Sequence, residues 1–142
     1  MLTAYLDTSA FAPFFLPGES DSKFVELGRS AEAFATSRLA RVEMHRILYR
    51  RRADRMIGPG QYGRLLRHVD DWLAHQALID VSELIVVRAS HLVSDRRLRV
   101  LDAIHLASAL YIRDEGGEDV VFATADVRLA EAAAAERLEV FG

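Results

Sequence analysis

The chain divides into short apolar runs and longer segments in which apolar positions recur with helical spacing. The short runs predict β-strands at residues 2–6, 33–36, 78–81, 120–123 and 138–141. The longer segments predict helices at residues 20–30, 37–55, 61–75, 83–93, 102–113 and 127–136. Strands separated by helices of this length are typical of a parallel sheet covered on both faces. The pattern therefore predicts the α/β class, a three-layer α/β/α sandwich around a central parallel sheet of about four or five strands.

Proline, glycine and hydroxyl residues mark the expected ends of these elements. Pro13 and Pro17 interrupt the helical segment that follows the first strand, and the glycine-rich segment 58–60 ends the helix that precedes it. Thr36 or Ser37 is expected to cap that helix at its start. The helix predicted at 61–75 has one apolar face, which must pack against another part of the protein.

Composition limits the kind of protein that this pattern describes. A chain of 142 residues with 51% hydrophobic and 27% charged residues is expected to fold as one domain over residues 1–142. The absence of cysteine excludes a disulfide framework and a thiolate metal site. The apolar runs are too short for a membrane span, and the amino terminus does not resemble a signal peptide. We therefore expect a cytoplasmic protein with no membrane partner.

Basic charge is concentrated in one part of the sequence. The formal net charge is −3, yet residues 38–67 contain nine arginines and two acidic residues. Arginine binds phosphate through two parallel hydrogen bonds. The segment is therefore either a solvated helical surface or a surface that binds phosphate or an acidic partner.

Four acidic residues stand at the ends of predicted strands or on helices beside them. Asp7 follows the first strand, Asp126 follows the strand at 120–123, and Asp102 opens a helix that is apolar nearly all round. Glu43 lies on the flank of the apolar stripe of the arginine-rich helix. Each acid also has a purely structural interpretation, because aspartate caps helices and a half-buried glutamate needs an ion-pair partner. Arg46 or Arg50 is close enough in sequence to be that partner for Glu43.

Taken together, the four acids favour a functional interpretation. Asp7 and Asp126 are expected at the same carboxyl edge of a parallel sheet, where ligands bind in open α/β folds. Carboxylates gathered in one place repel each other unless they are protonated or neutralised. A hard divalent cation such as Mg²⁺, or Mn²⁺ in its place, satisfies an all-oxygen set of this kind and commonly binds substrate phosphate as well.

Four motifs in this order resemble a known family. "YLDTSAF", the glutamate in "TSRLARVEMHRIL", "LRVLDAIHLASAL" and "FATADVRLAEAA" are similar to the PIN-domain ribonucleases, specifically the VapC-type toxins of bacterial toxin–antitoxin systems. The resemblance implies a compact α/β/α sandwich and an Mg²⁺- or Mn²⁺-dependent endoribonuclease that cleaves tRNA or rRNA. It also implies a cognate antitoxin that inhibits the enzyme, and a homodimer whose contacts involve the arginine-rich helix and the helix at 61–75.

The resemblance also assigns roles to particular positions. It implies catalytic and metal-binding roles for the four acids, and supporting roles for two hydroxyl residues: Asp7, Glu43, Asp102 and Asp126, with Ser9 and Thr124. Four arginines are candidates for contacts with RNA phosphates: Arg97, Arg99, Arg46 and Arg50. His105 lies one turn after Asp102, but a histidine on an apolar helix is more often a hydrogen-bonded core residue than a ligand.

Other classes fit the sequence less well. A phosphoacceptor receiver domain needs an adjacent acidic pair near the first strand and a late lysine, whereas Lys23 is the sole lysine. A haloacid-dehalogenase phosphatase needs a second aspartate where this chain has Ser9. A non-catalytic module that binds RNA or a partner through the arginine-rich helix remains the alternative, and it predicts RNA binding that survives the loss of Glu43.

Overall fold

Five parallel strands form one sheet in the computed structural model, which describes residues 2–20 and 22–142. The sheet order is β3-β2-β1-β4-β5. The strand bounds are β1 Leu2–Leu6, β2 Ala33–Ser37, β3 Ala77–Ile79, β4 Asp119–Ala123 and β5 Glu139–Phe141. The chain therefore builds the sheet outwards from β1 in one direction through β2 and β3, and then returns to the other side of β1 with β4 and β5.

Helices connect the strands and cover both faces of the sheet. Their bounds are α1 Thr8–Phe11, α2 Lys23–Ser30, α3 Leu39–Ala53, α4 Pro59–Leu73, α5 Glu83–Asp95, α6 Val100–Gly116 and α7 Val127–Ala135, with a 3₁₀ turn at Ala12–Phe14. This arrangement confirms the predicted α/β/α sandwich with a parallel sheet. No helix among the described residues is both long enough and apolar enough to cross a membrane.

The central strand shows why two layers of helices are needed. Side chains of a strand alternate between the two faces of its sheet, and in β1 both faces are buried. Ala4 and Leu6 pack with α1, α3 and α4, while Tyr5 packs with α5, α6 and α7. The apolar face predicted at 61–75 packs into the first of these two clusters, where Val69 and Leu73 are buried.

Several predicted helix ends were wrong, for identifiable reasons. The helix expected at 102–113 begins two residues earlier, at Val100, so Asp102 lies inside its first turn and is not its cap. The helix expected at 61–75 also begins two residues earlier, because Gly58 caps α4 and Pro59 occupies its first turn, where the missing N–H of proline costs nothing.

The segment after β1 was also misassigned in part. The interruption at Pro13 is confirmed, since α1 stops at Phe11 and Pro13 lies in the first positions of a 3₁₀ turn. The helix does not resume near Ser20, however, because α2 begins at Lys23 with Ser22 as its cap. Arg38, not Ser37, is the cap residue of α3, although the Ser37 hydroxyl accepts a hydrogen bond from the backbone N–H of Leu39. Thr36 does not cap the helix, because its hydroxyl donates to the carbonyl of Leu6.

Candidate active site

The candidate site lies where the direction of chain winding changes. Strands β1 and β4 are neighbours, with Leu6 paired to Ala123, but the chain continues from them to opposite sides of the sheet. The loops that follow two such strands separate and leave a crevice at their carboxyl ends, which is the usual ligand position in open parallel sheets. Asp7 and Asp126 stand in these two loops, as the sequence predicted.

Asp7 is buried and held by three hydrogen bonds. Its Oδ1 atom accepts from the Ser9 hydroxyl at 2.6 Å and from the Ala10 N–H at 3.0 Å, and its Oδ2 atom accepts from the Thr124 hydroxyl at 2.5 Å. The bond from Ala10 makes Asp7 the cap of α1. Burial raises the pKa of Asp7, although these hydrogen bonds and the nearby His105 act in the opposite direction. The capping and functional interpretations of Asp7 are therefore compatible.

Ser9 and Thr124 connect the two loops as well as holding Asp7. The Ser9 hydroxyl accepts from the backbone N–H of Ala125 at 2.9 Å. The Thr124 hydroxyl accepts from the backbone N–H of Asp126 at 3.0 Å. Thr124 therefore fixes both the Asp126 backbone and the Asp7 carboxylate. Ser9 and Thr124, the two hydroxyl residues named from the sequence, join the loop after β1 to the loop after β4.

Asp126 and Asp102 face the same cleft from two further helices. Asp126 caps α7 through one oxygen, Oδ1, which accepts from the Leu129 N–H at 3.1 Å. Asp102 is half-buried in the first turn of α6, and its carboxylate accepts no hydrogen bond from the described residues. Burial raises the pKa of Asp102, and the charges of Asp126 and Asp7 raise it further, while His105 and Arg99 lower it. These aspartates are therefore close enough to repel one another.

Glu43 reaches the cleft from α3 but does not form the ion pair considered for it. Neither Arg46 nor Arg50 is its partner; its Oε1 atom lies 2.7 Å from Nε2 of His105. The other ring nitrogen of His105, Nδ1, lies 2.8 Å from the hydroxyl of Tyr5. His105 and Tyr5 are both buried, and burial raises the pKa of Tyr5 well above its ordinary value. His105 is thus a hydrogen-bonded core residue, and its partner is one of the four acids.

All four acids line one cleft of about 290 Å³. Its lining combines acidic, polar and apolar side chains: Asp7, Thr8, Ser9, Glu43, Arg46, Ile47, Leu101, Asp102, His105 and Asp126. No lysine or arginine in the described chain forms a salt bridge with any of the four acids. Residues 2–20 and 22–142 nevertheless contain no group of three His, Asp or Glu side chains already arranged around a common metal position. The donor set is thus suitable for a hard cation, and its coordination geometry is not preformed.

The four candidate RNA-binding arginines differ in their distance from this cleft. Arg46 lines it directly, and the exposed Arg50 follows one helical turn later in an adjoining depression. Arg99 precedes α6, and its charge acts on Asp102. Arg97 instead lines a separate surface depression with Arg128. Three of the four arginines are therefore positioned around the acids or next to them.

Four lining residues were missing from the predicted site: Thr8, Ile47 and Leu101, and also His105, which was interpreted as a core residue. Thr8 and Leu101 each stand next to a predicted acid in the sequence, and Ile47 lies one helical turn after Glu43. Their closeness to the predicted acids could have placed them in the site. The hydroxyl of Thr8 is buried and has no hydrogen-bond partner among the described residues. The hydrogen bond between His105 and Tyr5 joins residues 100 positions apart, and no local sequence pattern predicts it.

The fold and the site together define an α/β protein with an acidic cleft at the point where a parallel sheet changes its winding direction. The sequence model of the PIN domain matches residues 4–135, which is most of the chain. The chain belongs to the PIN domain family.

Two curated relatives agree with this assignment. The chain is 30% identical over 129 residues to ribonuclease VapC45 from Mycobacterium tuberculosis strain CDC 1551 / Oshkosh, a match that covers 91% of this chain and 88% of the relative. The same values hold for ribonuclease VapC49 from strain ATCC 25618 / H37Rv. The similarity to VapC-type proteins inferred from the four motifs is therefore confirmed.

Solved structures support the fold. The crystal structure of FitAcB from Neisseria gonorrhoeae aligns with a TM-score of 0.71 over 98% of this chain and 96% of that chain, at 14% identity. The crystal structure of PAE2754 from Pyrobaculum aerophilum aligns with a TM-score of 0.57 over 93% and 87%, at 20% identity. At these identities the likeness concerns the fold alone.

Proposed function

We propose that this protein is a divalent-metal-dependent endoribonuclease, with Mg²⁺ as its ion and Mn²⁺ as a substitute. One observation carries the proposal: four carboxyl groups from separate elements line one cleft, and none of them is neutralised by a lysine or arginine of the described chain. The names of the two mycobacterial relatives, both ribonucleases, support the same reaction class.

The oxygen atoms of the cleft retain capacity for a cation. A carboxylate oxygen has about two lone pairs to offer. Oδ2 of Asp7 accepts one hydrogen bond, and the Oδ2 atom of Asp126 and the Asp102 carboxylate accept none from the described residues. With Glu43, these acids would hold an ion that prefers oxygen ligands and retains several waters. When bound, such an ion supplies positive charge for a phosphodiester transition state and makes water a better nucleophile.

The chain's own residues would bind and orient the RNA. Arg46 on the rim of the cleft presents donors that match a phosphate group. Arg50 is placed to contact the next part of the backbone, in the adjoining depression. Arg99 directly precedes the helix that carries Asp102, and its charge acts on that carboxylate. Arg97 lines a separate depression and would contact only a longer RNA.

The proposed substrate is structured RNA, either tRNA or rRNA. Proteins recognise particular RNAs mostly at single-stranded loops and bulges, whose unstacked bases can be contacted directly. Exposed apolar residues flank the acids and are suitable for contact with unstacked bases: Val42, Val100, Leu101 and Val127. Cleavage would leave a 5′-phosphate and a 3′-hydroxyl without a covalent intermediate.

We further propose that a cognate antitoxin inhibits the enzyme and that the protein forms a homodimer. An uncompensated acidic cleft favours an inhibitor that brings an arginine into it, since that residue would replace the missing positive charge. The dimer would use the pair α3 and α4. The apolar face of α4 already packs in the core, so a dimer would depend on residues that stay exposed, such as Tyr49 and Met56.

The deciding experiment is RNA-end sequencing. Purified protein is incubated with total tRNA and rRNA in the presence of Mg²⁺, and in parallel with EDTA, and the new ends are mapped. We expect cuts at few positions that depend on the ion and disappear in Asp7→Asn and Glu43→Gln. The matched control is Asp70→Asn, which removes a carboxylate outside the cleft.

Two outcomes would contradict the proposal. Cleavage that persists in EDTA would argue against a metal-dependent site. RNA binding that survives Glu43→Gln, without cuts under any condition, would favour the alternative in which the arginine-rich helix binds RNA or a partner and no reaction occurs.

A further inference from the structure

His105 connects two of the helices that carry the candidate acids. Its Nε2 atom lies 2.7 Å from Oε1 of Glu43 on α3, and its own helix, α6, also carries Asp102. The ring is 3% exposed, whereas the Glu43 side chain is 21% exposed. His105 thus holds one carboxylate oxygen of Glu43, a residue that also lines the cleft.

For a neutral His105 ring, the two hydrogen-bond partners allow one consistent assignment of protons. An ionised carboxylate only accepts, so Nε2 of His105 must donate to Glu43. In a neutral imidazole, Nδ1 is then an acceptor, and the hydroxyl of Tyr5 donates to it at 2.8 Å. Tyr5 cannot easily turn away, because its ring is fully buried and stacks on Phe122 with centroids 5.5 Å apart.

We propose that His105 is a positioning residue that holds Glu43 in the cleft, and that Tyr5 sets the tautomer that makes this possible. The inference rests on the proposed function. It assigns His105 a role in the site, whereas a satisfied core histidine would only stabilise the fold. Outer hydrogen bonds of this kind orient metal-binding side chains and are commonly worth about 10- to 100-fold in affinity or activity.

The sequence of α3 provides a competitor for Glu43. Arg46 is three residues later on the same helix, at a spacing at which glutamate and arginine side chains meet. Without His105, Glu43 would be free to turn along the helix and pair with Arg46. The two charges would then neutralise each other inside the cleft that both residues line, and neither would be available to a ligand. His105 therefore keeps an acid and a base apart although they are neighbours on one helix.

A pair of isosteric variants separates positioning from packing. In His105→Gln the amide nitrogen reaches about as far as Nε2 and can still donate to Glu43. In His105→Asn the amide reaches only the position of Nδ1, so it can still pair with Tyr5 but not with Glu43. Both variants place a neutral amide in the same buried site, and a purely structural role predicts similar effects for the two.

Mn²⁺ binding measured by calorimetry, without RNA, is the main readout. We expect His105→Asn to bind Mn²⁺ about 10- to 100-fold more weakly than wild type, and His105→Gln to stay within about threefold. The cleavage rate at saturating RNA should follow the same order, with thermal unfolding measured for each variant. Equal Mn²⁺ affinity and equal cleavage in wild type and a folded His105→Asn would overturn the proposal.

A spectroscopic measurement on the wild-type protein tests the tautomer independently of activity and of any variant's folding. The ¹⁵N chemical shifts of the His105 ring should show a protonated Nε2 and an unprotonated Nδ1. Tyr5→Phe should add the other tautomer and weaken Mn²⁺ binding by a smaller factor than His105→Asn. A ring protonated at Nδ1 alone in the wild type would overturn the proposal.

Failure of the proposed function gives a different result. In that case the wild-type protein would neither bind Mn²⁺ nor cut RNA, whatever the His105 tautomer. The positioning role would then fall with the function on which it rests, while the tautomer assignment would stand or fall on the NMR result.

Discussion

Carboxylates in two regions of this molecule have opposite environments. In the cleft, burial raises the pKa of Asp7 and Asp102, and the charges of Asp126 and Asp7 add to the rise for Asp102. Between α3 and α4, burial also acts to raise the pKa of Asp70, but hydrogen bonds from Arg41 and His45 outweigh it and the pKa falls. Arg41 binds this carboxylate through two bonds, at 3.0 and 3.1 Å.

This difference separates acids that hold the fold together from acids that are available for chemistry. Arginine is abundant in the chain, and the carboxylates of Asp70, Asp80 and Asp114, all outside the cleft, are paired with it. The acids of the cleft lie near Arg46 and Arg99 and are not paired with them. Ionisable groups with shifted pKa values that are gathered in a cleft are typical of functional sites.

The strongest test of the comparison is to remove one acid from each region. Asp7→Asn should lower the single-turnover cleavage rate by about 10³-fold or more, because an electrostatic group of the reaction site is lost. The amide still accepts from Ala10 and Ser9, so the fold should persist. Asp70→Asn should leave the rate within about threefold. Comparable losses in the two variants would remove the distinction between the regions.

The effect of Asp102 on thermal stability should depend on metal: its carboxylate should destabilise the metal-free protein and stabilise the metal-bound protein. Asp102 has a raised pKa in the folded protein, so its charged form costs stability at neutral pH. In EDTA, Asp102→Asn should therefore raise Tm by roughly 2–4 °C. Mn²⁺ at about 100 times its Kd should stabilise the wild type by about 2.7 kcal/mol and the variant far less. Calorimetric unfolding measures the Tm of both proteins with and without Mn²⁺. A lower Tm for Asp102→Asn than for wild type in EDTA would contradict the proposed repulsion between the acids of the cleft.

Arg46 offers a sharper test of the basic side of the cleft. Arg46→Gln should raise KM about 3- to 10-fold with little change in kcat, because a phosphate contact that is equal in ground and transition state is lost. The salt dependence of RNA binding should become shallower, by about 0.7 in the log–log slope for a single strand. Arg64→Gln, an exposed arginine on α4 that does not line the cleft, is the matched control and should change neither quantity.

The smallest effect concerns pH and Asp70. A carboxyl group whose pKa is lowered by folding contributes stability above its unfolded pKa near 4 and loses it as the pH falls through the folded pKa. The Asp70 side chain is 35% exposed, so solvent screening limits the contribution to about 0.5–1 kcal/mol. Urea unfolding of wild type and Asp70→Asn should differ by this amount at pH 7, and the difference should shrink as the pH falls below the ordinary aspartate range. A difference that persists in acid would show that the ion pair is not its source.

The sequence by itself determined the elements and the general place of the chemistry. Apolar runs located all five strands to within two residues at either end, because period and burial are local properties of a strand. Asp7 and Asp126 were placed at a sheet edge because each directly follows a predicted strand. The parallel arrangement followed from alternation of strands with long helices. These inferences need only neighbouring residues.

Tertiary structure alone decided which partner each acid takes. Glu43 has arginines three and seven residues later on its own helix, yet it pairs with His105, 62 positions away. Local spacing ranks possible partners, but α6 packs beside the sheet in a way that brings a buried donor closer than either flexible, solvated arginine. The strand order that puts β4 beside β1, and so puts Thr124 against Asp7, likewise depends on how the whole chain closes its core.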